Sequence, residues 1–199
     1  MKNLFEPLPK SVTVNGVDYA VVTDFRDWLR FEAMLADIAL SDAEKLRLSR
    51  RWYCDDIPAA SGVSVAALAD FFIMRESKAA SSTTGAQKRR ERITDLTEDA
   101  GLIYAAFLQS YGIDLITIPY LHWWAFRALL DGLPDSTQYA KVVGIRATDI
   151  KELPKSMRER YGKMKQIVGL RVAKPAQHTT VAERDEAMKR RAREISTRP

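Results

Sequence analysis

Side chains that could do chemistry are few and scattered along this chain of 199 residues. The only histidines are His122 and His178, which lie far apart, and the single cysteine is Cys54. One cysteine excludes an internal disulfide and a cysteine-rich zinc site, and two distant histidines disfavour a histidine metal site. Cys54 lies between Tyr53 and Asp55, and neither neighbour is a cation that would activate a thiol. These residues therefore predict no metal centre and no reactive thiol.

Motifs of known catalytic sites do not accompany these residues. The hydrolase motif G-x-S-x-G and the phosphate-binding patterns G-x-x-x-x-G-K and G-x-G-x-x-G do not occur. His122 lies in a mostly apolar segment, which favours a buried, hydrogen-bonded histidine over a general base. The pair Asp55–Asp56 lies beside a proline without further carboxylates nearby, which favours a plain loop over a cation site. We expect no catalytic residues and no cofactor, and hence a protein that is not an enzyme.

The most informative segment is residues 120–134, which contains two of the four tryptophans. Pro119 predicts the first helical position there, and Gly132 with Pro134 predicts the end of the helix. At about 100° per residue, a wide apolar arc is formed by Leu121, His122, Trp123, Ala125, Phe126, Leu129 and Leu130. A helix that is apolar over so much of its circumference is either the centre of a helical core or a surface for a partner. We interpret the arc as core.

The opposite, narrower edge of this helix carries Tyr120, Trp124, Arg127 and Asp131. Tyr120, Trp124 and Arg127 are candidate protein-binding residues, because Trp, Tyr and Arg dominate the hot spots of interfaces. The alternative is that these side chains make contacts within the monomer.

The pattern of elements predicts a mainly α fold, a multi-helix bundle with a short N-terminal β-hairpin. Residues 11–22 alternate as strands around Asn15-Gly16, a dipeptide typical of a type I′ turn. Helices are predicted for residues 23–38, 41–53, 64–77, 97–111, 119–131 and 136–145, and for a basic stretch that begins at Pro154. We expect an α-helical domain over residues 1–170, with a mobile linker at about 78–92, and a basic, partly helical tail over residues 171–199.

Positive charge is concentrated at the C-terminal end. Residues 1–150 carry 17 Lys/Arg and 20 Asp/Glu, whereas residues 151–199 carry 14 Lys/Arg and 6 Asp/Glu. Such a region can bind nucleic acid, bind an acidic protein or remain solvated. Within the tail, a narrow apolar stripe makes Met188, Ala192 and Ile195 further candidate protein-binding residues. Because no apolar run reaches the roughly 20 residues of a membrane span, and no signal-peptide core is present, we expect a cytoplasmic protein that does not contact the membrane.

An ordered set of motifs resembles a known family. The set comprises Leu8-Pro9 with the hairpin, residues 23–28 (TDFRDW), residues 56–58 (DIP), residues 103–108 (IYAAFL), residues 111–115 (YGIDL) and residues 120–129 (YLHWWAFRAL). Over about residues 1–170 it is similar to tail-region proteins of long-tailed bacteriophages (siphoviruses) and prophages. The resemblance implies a tail assembly chaperone, encoded beside the tape-measure protein, that acts in the cytoplasm of the host bacterium. Its implied partners are the tape-measure protein and the tail-tube protein. Self-association is a separate expectation, based on the edge of the hairpin and the narrow apolar stripe of the tail.

Two other functions remain open. A nucleic-acid-binding regulator would act through residues 151–199, but Glu183, Asp185, Glu186 and Glu194 dilute the positive charge there, so nucleic acid is the less favoured partner. A structural tail component would remain in the virion.

Overall fold

A computed structural model describes residues 5–54, 61–75 and 93–170 of the chain. Within these ranges the fold is mainly α, with an N-terminal hairpin, which confirms the predicted fold class. The elements are β1 (Ser11–Val14), β2 (Val17–Ala20), α1 (Phe25–Ala36), α2 (Asp42–Ser49), a 3-10 turn (Arg50–Trp52), α3 (Gly62–Phe72), α4 (Ala100–Tyr111), α5 (Trp123–Asp131), α6 (Gln138–Ala147) and α7 (Lys155–Val168). The predictions for Asp55–Asp56, for the linker at about 78–92 and for the tail with Met188, Ala192 and Ile195 lie outside the described residues.

The hairpin turns at the predicted dipeptide. Asn15 and Gly16 both have positive φ angles, 52° and 81°, as a type I′ turn requires. The strands pair with Val14 opposite Val17, and α3 packs on β1. Val12 and Val14 are buried, because alternate residues of a strand point to the same face. The hairpin is therefore stabilised by the helical body, as a two-stranded sheet needs to be.

Local capping residues set where several helices begin. A capping box of Ser41 and Glu44 is present at α2, and Asp24 accepts the Arg26 N–H at the start of α1. A second capping box, formed by Ser61 and Ser64, begins α3 at Gly62, two residues before the predicted start. The side-chain oxygen of each cap satisfies an N–H that has no partner within the helix.

The core is a stack of aromatic rings contributed by α1, α3, α4 and α5. The ring of Phe126 lies between Phe25 and Phe107, at centroid distances of 4.9 and 5.2 Å. Trp123 stacks on Phe72 at 5.1 Å, and the largest fully buried side chains include Trp28, Phe31, Phe107, Trp123 and Phe126. The interpretation of the apolar arc as core is confirmed.

The tryptophan helix begins later than predicted. Its first residue is Trp123 and its N-cap is His122, so the prediction that Pro119 occupies the first helical position is wrong. The helix ends at Asp131 with Gly132 as its C-cap, which confirms the predicted end. Because Tyr120 precedes the helix, its position on a helical projection does not describe where it lies.

A buried ion pair joins the start of α4 to α6. Asp99 occupies the N-cap position of α4 without a capping hydrogen bond from its side chain. Its carboxylate instead accepts two hydrogen bonds from Arg146, at 2.8 and 2.9 Å, with the two side chains 2% and 9% exposed. Arg146 also donates to the carbonyl of Val168, so one side chain links α4, α6 and the end of α7.

Candidate protein-binding site

His122 is engaged at both ring nitrogens. Its Nδ1 accepts the main-chain N–H of Trp124 at 3.0 Å, and its Nε2 lies 2.9 Å from the carbonyl oxygen of Pro9. These partners require the neutral tautomer with the proton on Nε2. Burial lowers the pKa of the imidazole below its ordinary value, because desolvation disfavours the cation. The predicted buried, hydrogen-bonded histidine is confirmed, and its role is to join the N-terminal segment to α5.

The two adjacent tryptophans of α5 bind the C-terminal end of α3. The indole N–H of Trp123 donates to the carbonyl of Phe72 at 2.9 Å, and that of Trp124 donates to the carbonyl of Phe71 at 3.0 Å. Carbonyls at the end of a helix lack part of their intrahelical hydrogen bonding. Trp123 supplies a donor to the carbonyl of Phe72, and Trp124 adds a second donor to that of Phe71, which also accepts the main-chain N–H of Met74. Trp124 is only 2% exposed. Its side chain therefore makes contacts within the monomer, which is the alternative to a partner role, and the partner role itself stays a prediction.

Arg127 and Tyr120 do not form a common edge with Trp124. The guanidinium carbon of Arg127 lies 5.6 Å from the ring centroid of Trp123, and within the described part of the chain its buried Nε has no hydrogen-bond partner. Tyr120 is 49% exposed, and its hydroxyl hydrogen-bonds to Thr23 at 2.8 Å. The continuous edge expected from the sequence is absent, because α5 starts after Tyr120. Tyr120 is the one of the three that remains exposed.

Tyr120 belongs to a loop that exposes apolar side chains, residues 113–121, which we call the Ile116 loop. Within this loop, the side chain of Ile116 is 74% exposed. Asp114 forms the turn: its side chain accepts the N–H groups of Ile116 and Thr117, and its carbonyl accepts the N–H of Ile118. The hydrogen bond from the Ile116 N–H is the main reason why the pKa of Asp114 is lowered. The turn fixes the main chain on which Ile116 is carried.

Arg26 holds the Ile116 loop against α1. One of its terminal nitrogens donates to the carbonyls of Leu115 and Ile118, at 3.2 and 2.5 Å, while the other pairs with Asp24 at 3.1 Å. Main-chain hydrogen bonds continue the attachment, from Phe25 to Leu121 and from Trp123 to Thr23. A loop fixed in this way loses little conformational entropy when a partner binds.

A groove of about 210 Å³ lies between β1 and α3, with Trp124 among its lining residues. Phe71 gives it an apolar side, while Asp70 and Arg75 form an exposed ion pair at 3.5 Å. Its volume is below the roughly 300–1,000 Å³ of small-molecule sites. Among residues 5–54, 61–75 and 93–170, no cluster of three or more His, Cys, Asp or Glu could hold a metal ion. No helix in these ranges is long and apolar enough to cross a membrane.

Sequence reasoning did not single out Ile116 or Arg26. A signal was present in the apolar stretch from Leu115 to Ile118, which lies directly before Pro119 and carries no charged residue. Such a stretch outside a helix indicates either a buried segment or an exposed surface that contacts a partner. Only the position of the loop in the folded protein distinguishes the two. Arg26 acts through groups 89 and 92 positions away in sequence, which no local pattern shows.

Comparison with known proteins identifies a family. A family model described as "Bacteriophage Gp15 protein" matches residues 4–170. No curated protein and no solved structure matches the chain.

Proposed function

The chain belongs to the bacteriophage Gp15 protein family, and from this premise we propose that it is a tail assembly chaperone. In this role it binds the phage tape-measure protein in the host cytoplasm, assists assembly of the tail tube around it, and carries out no catalysis. Membership of a phage protein family and the earlier resemblance to tail-region proteins support the proposal.

The observation that carries the proposal is the Ile116 loop. Ile116 and Tyr120 are 74% and 49% exposed, on a main chain held by Arg26. Apolar residues on a preorganised loop suit reversible binding of an apolar partner, because the surface is formed before binding. Tyrosine is also among the residues that dominate interface energies.

The properties of the partner agree with such a surface. A tape-measure protein is a very long, largely helical chain whose apolar stripes would self-associate before the tube encloses them. A chaperone must cover these stripes and later give way to tube subunits. Many copies of the chaperone, each bound to the tape-measure protein with modest affinity, would cover the stripes together and could still be displaced one at a time.

Co-expression tests the proposal. The tape-measure protein of the same phage is produced alone and together with this chain, and its soluble fraction is measured by quantitative immunoblotting. We expect the chain to make it soluble and to co-purify with it. A tape-measure protein that stays insoluble and does not co-purify would contradict the proposed function.

The composition of the virion separates the chaperone from a structural tail protein. We expect mass spectrometry of purified particles to detect the tube protein and the tape-measure protein but not this chain. Its presence at a fixed number of copies per virion would favour the structural role. DNA binding that depends steeply on salt would instead favour the regulator.

A further inference from the structure

Within the part of the chain that the structure describes, the last helix, α7, is covered on one side only. It packs on α6, yet none of its residues is buried. Met157, Arg160, Met164 and Ile167 follow one another at spacings of three, four and three residues, and so lie along one side of the helix. Met157 and Ile167 are 40% and 83% exposed, Arg160 is exposed, and Met164 is half-buried. We call these four residues the α7 strip.

The spacing of the α7 strip is that of a helix–helix seam. Alternating steps of three and four residues place side chains where a second helix can pack them into its own gaps. Two of the apolar members are methionines, whose flexible side chains adapt to different partner surfaces. A single charged residue within such a seam sets the register and the identity of the partner, and Arg160 has this position.

The charge around the α7 strip is positive. Residues 151–170 contain six Lys/Arg and two Asp/Glu. Glu159 is paired with Lys163 at 2.7 Å, so these two charges offset each other, and five Lys/Arg remain against Glu152. Arg158 donates to the carbonyls of Leu153 and Lys151 and so stabilises the turn before α7. The surface that a partner would meet is thus apolar, with an exposed cation inside it and further cations around it.

Charge also distinguishes between the segments that could bind the α7 strip. The chain's own residues 171–199 carry eight Lys/Arg and four Asp/Glu, the same sign as α7, and α7 of a second copy has that sign as well. We propose that the α7 strip docks an amphipathic helix of a partner protein whose apolar stripe carries an Asp or Glu opposite Arg160. This inference goes beyond the proposed function and does not depend on the partner being the tape-measure protein.

Two synthetic helical peptides of about 20 residues serve as probes, long enough for helix–helix contact along α7. Both carry the same leucine stripe, and one is flanked by Glu and the other by Lys. Binding of each fluorescently labelled peptide to the full-length chain is measured by anisotropy. We expect the Glu peptide to bind at least about tenfold more tightly than the Lys peptide, a difference of roughly 1.4 kcal/mol.

Matched variants locate the contact. Arg160→Glu should weaken the Glu peptide about tenfold or more and strengthen the Lys peptide, whereas Lys155→Glu, with the same charge change on the far side of α7, should change either affinity by less than about threefold. Ile167→Asn should also weaken the Glu peptide, with folding unchanged because the side chain is exposed.

Several results would overturn the proposal. Equal binding of the two peptides would remove the charge argument. Equal effects of Arg160→Glu and Lys155→Glu on peptide affinity would indicate general attraction to a basic helix. Duplex DNA that competes with the Glu peptide, and whose competition both substitutions reduce equally, would indicate the same. Self-association in sedimentation experiments that Ile167→Asn abolishes would assign the α7 strip to a second copy. None of these results bears on co-expression with the tape-measure protein, so the two proposals fail separately.

Discussion

The guanidinium of Arg26 donates to the main-chain carbonyl of Leu115 at 3.2 Å, across 89 positions of sequence. The second residue of α1 thereby sets the path of the Ile116 loop, and its pairing with Asp24 fixes the guanidinium itself. The exposed side chain of Ile116 owes its fixed position to this contact and to the turn at Asp114.

Replacement of Arg26 by lysine should release the Ile116 loop. A lysine keeps the charge but lacks the planar fork that reaches two carbonyls and a carboxylate together. Since hydrogen bonds from charged groups contribute about 1.5–3 kcal/mol, we expect a loss of free energy of unfolding of this order. Hydrogen exchange at residues 115–121 should accelerate. Arg30→Lys, at the exposed ion pair with Asp27, is the control, and unchanged exchange in Arg26→Lys would show that the loop is held by other contacts.

The pKa of His122 predicts a loss of stability in mild acid. The pKa is lowered from 6.5 in the folded protein, so the unfolded chain takes up the proton first as the pH falls. The contribution of the neutral imidazole is complete above pH 6.5 and declines as the pH drops towards the folded pKa. His122→Asn keeps an N-cap acceptor but does not titrate, so it should lack this part of the slope. Urea denaturation between pH 5 and pH 8 measures the free energy of unfolding of both proteins. If this free energy had the same pH dependence in both, His122 would not be the group responsible.

The buried pair of Asp99 and Arg146 should be sensitive to the loss of either member. Arg146→Met leaves a buried carboxylate without its partner, which costs about 3–5 kcal/mol. Asp99→Asn in the same background removes that charge. The double variant should therefore lose less free energy of unfolding than the sum of the losses in the two single variants. Thermal and urea unfolding of the four proteins completes the cycle. Strict additivity would show that the pair contributes no coupling.

Trp124 should matter for stability and not for partner affinity. Trp124→Phe removes the N–H that donates to Phe71 and leaves a buried site underpacked, at a cost of about 1–3 kcal/mol. Affinity for the tape-measure protein, measured on folded material, should stay within about twofold because the side chain is not accessible to a partner. A large loss of affinity without a loss of stability would restore the partner role that the sequence suggested.

Features that depend on neighbouring residues could be predicted from the sequence. Asn15-Gly16 specifies a hairpin because these residues adopt positive φ angles at low cost. Ser41 and Glu44 specify a helix start because both partners of the capping box lie within one turn. The apolar arc of α5 identified the core because burial follows helical periodicity.

Features that depend on distant residues could not be predicted from the sequence. Pro119 carries a general preference for the first helical position, but His122 begins α5 because its ring also bonds Pro9, 113 positions away. Trp124 belonged to the narrower, more polar edge of the projected helix, and it is buried because the end of α3 offers a carbonyl to its indole. Tertiary packing determines which side chains are exposed. For this reason Ile116, and not Trp124, is the exposed candidate for binding a partner.

The affinity of the Ile116→Asp variant for the tape-measure protein is the most direct test of the proposed chaperone surface. Ile38→Asp is the matched control, because Ile38 is also exposed, at 57%, and lies outside the Ile116 loop. Exposed substitutions of this kind should change the free energy of unfolding by no more than about 0.5 kcal/mol. Titration calorimetry should show Ile116→Asp weakening binding by about tenfold or more, with Ile38→Asp within about twofold of the unsubstituted chain. Equal affinities for all three proteins would contradict binding through the Ile116 loop.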